Sequence, residues 1–89
     1  MRYRSRTDIT AQILEIANKG ANKTKIMYGA YLSYAQLKEY LAVLLENSLI
    51  EHIATEQKYK TTEKGLKFLK TINQLSQLTS SMAREIEIV

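Results

Sequence analysis

The sequence predicts an α+β chain, mainly α with one small β-hairpin, ending in a long C-terminal helix. Three observations carry this. Apolar residues recur at helical spacing in the first half of the chain. Between Leu49 and Thr61 the pattern changes to two short β-type runs. Beyond Thr62 a seven-residue apolar repeat runs to the end of a chain that has no proline.

The first element spans about Asp8 to Asn18. Ile9, Ile13, Ile16 and Ala17 fall at i, i+4, i+7 and i+8, which is one helical face. Thr7 or Asp8 offers a side-chain oxygen to the free N–H groups at its start, and Gly20 fits a left-handed stop. A short element follows over Lys23–Tyr28, capped by Asn22, with Ile26 and Met27 as its apolar residues. Gly29 is expected to end it and permit a tight turn.

Ser33-Tyr34-Ala35-Gln36 reads as a capping box, serine at the cap and glutamine three residues later. The helix it opens runs to about Asn47. Leu37, Leu41, Leu44 and Leu45 form its buried stripe, and Lys38, Ala42 and Glu46 lie on the other side. Leu49–Ala54 and Lys58–Thr61 are the strand candidates, joined by the polar Thr55-Glu56-Gln57.

The last helix opens at Thr61 or Thr62. Gly65 near its start is less favourable there than alanine by ~1 kcal/mol, which a close approach to a neighbouring strand would justify. Phe68, Ile72, Leu75, Thr79, Met82, Ile86 and Val89 then step by four and three, a heptad seam that Leu66, Leu69 and Leu78 widen. The chain thus divides into a basic arm (1–6), a compact domain (7–65) and a dimerisation helix (62–89).

Composition narrows the chemistry. At 89 residues there is room for one domain with a thin core. The absence of cysteine removes disulfides, thiolate metal sites and a cysteine nucleophile, and the single His52 removes a multi-histidine metal site. Three scattered glycines make no phosphate-cradling loop. No nucleophile–base pair, metal set or cofactor motif can be assembled, so no enzyme, no cofactor and no small-molecule substrate are expected. The longest apolar run, Tyr40–Leu45, is too short to cross a membrane, and the N-terminus lacks the apolar stretch of a signal peptide. A cytoplasmic, nucleoid-associated protein is the expectation.

The net charge is +4, and it is not evenly spread. Residues 1–40 hold seven basic groups against three acidic ones, while in residues 41–89 the two signs balance. A positive front half calls for an anionic partner, nucleic acid being the commonest.

The element order is helix, short helix, turn, helix, strand, strand, long helix. A short helix turned into a longer capped one is a helix-turn-helix, and the hairpin that follows makes it a winged helix-turn-helix. An α-helix fits the major groove of duplex DNA and reads base edges with its N-terminal residues.

The run Lys23-Thr24-Lys25-Ile26-Met27-Tyr28-Gly29-Ala30-Tyr31-Leu32-Ser33-Tyr34 resembles the signature of the archaeal ten-kilodalton winged-helix DNA-binding proteins, the Sulfolobus 10a type. Gln36-Leu37, Tyr40-Leu41, Leu49-Ile50 and the segment from Tyr59 to Gly65 extend the likeness over nearly the whole chain. The resemblance implies an abundant archaeal DNA-binding protein, chromatin-architectural or regulatory. It also implies a homodimer joined by an antiparallel coiled coil of C-terminal helices.

Candidate contacts to double-stranded DNA follow from position and chemistry. Lys23, Thr24 and Lys25 begin the helix expected to cross the DNA backbone, where N–H groups and cations meet phosphate. Ser33 caps the recognition helix and can also touch a phosphate. Gln36 either reads adenine by two hydrogen bonds or closes the capping box, and Lys38 meets a phosphate or guanine. Tyr31 and Tyr34 stand at the entrance of that helix. Lys58 and Lys60 lie in the wing, where Glu56 opposes them. Arg2, Arg4 and Arg6 form a basic arm able to enter the minor groove. His52 is expected at the surface. Phe68, Ile72, Leu75, Leu78, Met82 and Ile86 are the dimerisation residues. The alternative function is a winged-helix protein-interaction module that assembles through the coil without touching DNA.

Overall fold

The structure, a computed structural model, describes residues 4–88; for Ser76 and residues 79–88 the backbone alone is described. Its elements are α1 (Arg6–Ile16), α2 (Lys23–Gly29), α3 (Tyr34–Glu46), β1 (Ile50–Ile53), β2 (Lys58–Thr61) and α4 (Glu63–Ile88). Arg2 and Val89 lie outside the described residues, as do the side chains of Thr79, Met82 and Ile86.

The helix α1 starts earlier than expected. Its cap is Ser5, whose Oγ accepts from the Asp8 N–H at 3.0 Å, while Asp8 Oδ2 accepts from the Ser5 N–H at 3.0 Å. Asp8 therefore closes a capping box from its third position and is not the cap, nor is Thr7. Arg6 becomes the first helical residue. Asn22 caps α2 through the Lys25 N–H at 2.8 Å.

The turn after α2 also departs from expectation. Gly29 stays helical, and the left-handed residue is Tyr31, at φ 54°. The Leu32 N–H donates to the Met27 carbonyl at 2.9 Å and the Tyr31 N–H to the Tyr28 carbonyl at 3.3 Å. These two bonds make a Schellman ending, whose left-handed position usually holds glycine. The same ending recurs after α3, with Ser48 at φ 59° and the Leu49 N–H donating to the Leu44 carbonyl at 2.9 Å.

The hairpin is antiparallel, with Ile50 opposite Thr61 and Ile53 opposite Lys58. The connecting loop spans residues 54–57, with Gln57 left-handed at φ 52°. A third segment joins it. Ala21 and Tyr59 exchange N–H to carbonyl bonds at 2.9 and 2.8 Å, an antiparallel bridge on the free edge of β2.

The core is built from all these elements. Ile13 and Leu14 of α1 with Ala17 just after it, Ile26 of α2, and Leu37, Leu41 and Leu44 of α3 meet Leu49, Ile50, Tyr59 and Leu69. Burial of each large side chain contributes about 1.5–3 kcal/mol. Leu45, expected in the α3 stripe, stays 38% exposed.

The junction into α4 is held most closely. Thr62 caps α4, its Oγ1 accepting from the Gly65 N–H at 3.0 Å and donating to the Ser48 carbonyl at 2.6 Å. Thr61 is buried and donates from Oγ1 to the carbonyl of Leu14, in the last turn of α1, at 2.7 Å. Gly65 fits because it has no side chain: a Cβ there would lie 2.1 Å from the Leu49 carbonyl oxygen.

Gly65→Ala drives a methyl group into backbone and is expected to lower the unfolding free energy by about 3 kcal/mol, measured by urea titration. Thr61→Val keeps the shape but leaves the Leu14 carbonyl without this donor. A loss of about 1–3 kcal/mol is expected in the same titration.

Candidate nucleic-acid interface

The helix α3 is presented by its anchor and its cap. Leu37, Leu41 and Leu44 fix one side in the core. At the front, Ser33 Oγ accepts from the Gln36 N–H at 3.1 Å and Gln36 Oε1 accepts from the Ser33 N–H at 3.0 Å. Of the two roles open to Gln36, the structure shows the capping one. Tyr34, the first helical residue, is 59% exposed, and Lys38 Nζ lies 5.6 Å from the centroid of its ring. The outer surface of α3 also carries Glu39 and Glu46, both exposed. Cations for phosphate must therefore come largely from neighbouring elements.

They form two groups. The first gathers around the bridge between Ala21 and Tyr59. Lys58 and Lys60 are exposed on β2 on either side of Tyr59, and Lys19, Lys23 and Lys25 are exposed on the segment that the bridge draws to β2. The methylene stem of Lys58 runs beside Gly20, its Cδ 3.7 Å from the point a Cβ would occupy there. Thr24, exposed in the first turn of α2, belongs with this group. Lys19 counts in the basic front half of the sequence but is not among the DNA contacts expected there. The bridge, with the Thr61 N–H donating to the Ala17 carbonyl at 3.0 Å, brings its segment to the wing, and isolated bonds of this kind leave no periodic signal. Opposition is local: Glu51 pairs across the hairpin with Lys60.

The second group is the corner between α2 and α3, at the other end of a helix about 10 Å long. Here the expectation of a free basic arm changes. The Arg4 guanidinium donates to Gln12 Oε1, to the Ala30 carbonyl, and at 3.0 Å to the Tyr31 carbonyl. It lies 5.9 Å from the centroid of the Tyr31 ring. Arg4 is thus committed to the corner. Arg6, on the first turn of α1, lines an open cleft between α1 and α3 with Gln36, Glu39, Tyr40 and Val43.

His52 is exposed, 4.8 Å from Tyr59 centroid to centroid. Among the described residues no group of side chains could hold a metal ion, and no helix is long and apolar enough to cross a membrane.

The apolar side chains of α4 divide by face. Gly65, Leu69 and Ile72, one stripe at i, i+4 and i+7, are buried. Ile72 is only 5% exposed within the single chain, so the seam residue expected to meet a partner is already covered. Phe68, Leu75 and Leu78 remain 42%, 57% and 59% exposed.

This fold has known counterparts. The family model for winged helix-turn-helix proteins matches residues 3–80. The uncharacterized protein MJ0287 of Methanocaldococcus jannaschii is 30% identical over 79 residues, which is 88% of this chain and 79% of that protein. MJ0290 of the same organism is 36% identical over 76 residues, 84% of this chain, but the match spans only 35% of that longer protein. Among solved structures, the crystal structure of Sso10a-2, a DNA-binding protein from Sulfolobus solfataricus, matches with a TM-score of 0.85. The identity there is 22%, over 94% of this chain and 90% of that one, and the likeness in fold agrees with the resemblance carried by Lys23–Tyr34. With its order of elements, its bridge-supported wing and a family match over most of its length, the chain belongs to the winged helix-turn-helix family.

Proposed function

We propose that the chain binds double-stranded DNA as a homodimer, in an archaeal chromatin-architectural or transcriptional role. The observation that carries this reading is the pairing of a capped, core-anchored α3 with exposed lysines on α2 and the wing. Lys23, Thr24, Lys25, Lys58 and Lys60 neutralise and bond phosphates, with Lys19 added to their number. Lys38 and Tyr34 meet the duplex at the front of α3. Glu39 and Glu46 leave α3 without net positive charge, so the phosphate contacts fall mainly to the flanking lysines. Ser33 and Gln36 serve the interface by fixing where α3 begins. The DNA-binding function of a protein of the same fold supports the reading.

The dimer half of the proposal rests on Phe68, Leu75 and Leu78, exposed on a helix that runs on past the core. A row of this kind in water favours a matching row on a second copy. Met82 and Ile86 continue it in sequence. With 26 residues, α4 is about 39 Å long, and an antiparallel pair would hold two winged domains a helical turn of DNA or more apart.

If the dimer meets about 6–10 phosphates, duplex affinity falls by about 10³–10⁵ between 50 and 200 mM salt. Lys25→Glu combined with Lys38→Glu removes four cations from the dimer, lowers the affinity and reduces the slope of log affinity against log salt by about four. A salt-indifferent affinity, or a double variant that binds like the parent, favours the protein-assembly alternative. Sedimentation equilibrium tests the dimer: Leu75→Glu is expected to shift the mass from two chains to one with the domain still folded. A parent protein that sediments as one chain at micromolar concentration rejects it.

A further inference from the structure

Tyr31 joins two properties that ordinarily exclude each other. Its φ of 54° puts it in the left-handed region at the glycine position of a Schellman ending, where a bulky side chain is disfavoured. Yet its side chain is 80% exposed, so packing does not hold it there. The other left-handed non-glycine residues described, Ser48 and Gln57, are polar. Glycine or asparagine would make the same corner with less strain. The conformation is instead secured by Arg4, bonded to the carbonyls of Ala30 and Tyr31 and lying over the ring itself. The chain thus holds an aromatic ring out in water, one face under a guanidinium.

The neighbouring tyrosines extend the surface. Tyr28, whose carbonyl accepts from the Tyr31 N–H, is 69% exposed. Tyr34 is 59% exposed beneath Lys38. Three open rings within seven residues, two of them accompanied by cations, match a ligand that carries flat π-faces and negative charge together. Single-stranded nucleic acid is that ligand: its bases present faces and its phosphates meet the cations. A duplex stacks those faces away and offers only edges and backbone.

We propose that the α2–α3 corner is a stacking site for unpaired nucleobases, with Tyr31 as its central ring and Arg4 as the positioning residue. The inference deepens the DNA-binding reading and rests on it. The site would engage strands opened at ends, junctions or melted segments, while the lysines beside the wing hold the duplex.

The test measures binding of the full chain to a labelled oligothymidylate of about 12 nucleotides and to a duplex of equal length. Tyr31→Asn keeps the left-handed turn and removes the ring, so it folds with unchanged or raised Tm. Its affinity for the single strand is expected to fall by about tenfold or more, and by clearly more than its affinity for the duplex. Tyr31→Phe retains both. Arg4→Lys keeps the charge but not the fork on two carbonyls; it weakens single-strand binding when Tyr31 is present and has no effect on top of Tyr31→Asn. A Tyr31→Asn variant that binds the single strand as the parent does overturns the proposal. So does a parent that binds duplex alone, which leaves the duplex reading intact, or a variant that loses both substrates equally, which makes the ring a duplex contact. A parent that binds neither removes the DNA-binding reading and this one with it.

Discussion

The close approach of the first turn of α4 to the end of α3 is the constraint on which the rest of the molecule depends. A hairpin of two four-residue strands is not stable alone. Here its two ends are locked together by backbone. The Thr62 N–H donates to the Leu49 carbonyl at 3.0 Å, the Thr62 hydroxyl to Ser48, and the Lys64 ammonium to the Asn47 carbonyl at 2.9 Å. The carbonyls of the three residues that follow α3 thereby find donors at the start of α4. Gly65 lets the two backbones meet, and Thr61 ties the same point to α1.

From that junction the interface takes its shape. With the base of the wing fixed, β2 offers its free edge to Ala21, and the bridge draws the segment leading into α2 to the lysines of the wing. The cations that gather there come from residues about 40 positions apart in sequence. At the far end of α2, Arg4 makes a second junction by reaching back from before α1 to the corner. The two ends of one short helix thus carry different chemistry. One end holds exposed ammonium groups, and the other holds exposed rings, two of them beside cations.

Much of the site was legible because it rests on local rules. Ser33 and Gln36 form a capping box wherever they stand three apart at a helix start, and both bonds are present. Asn22 before α2 is equally local. Gly65 was suspect in sequence because glycine is poor within a helix, and the Leu49 carbonyl gives the reason for it. Where local signals compete, spacing alone does not choose between them. Ser5, Thr7 and Asp8 all accept N–H groups well, and which one caps is decided by where α1 begins against the core. Gly29 attracted the turn that Tyr31 makes, since nothing in a sequence reveals that an arginine 27 residues earlier supports a left-handed tyrosine.

The sequence by itself determined the order of elements, the cap and anchor of α3, the period of the wing and the positive front half. Each of these depends on spacing along the chain or on composition. Tertiary structure alone decided that Arg4 belongs to the corner, that Lys19 stands beside the wing, that Ile72 is covered within its own chain, and that Tyr31 faces water. Those outcomes depend on which surfaces meet, and contacts between residues distant in sequence leave no period to read.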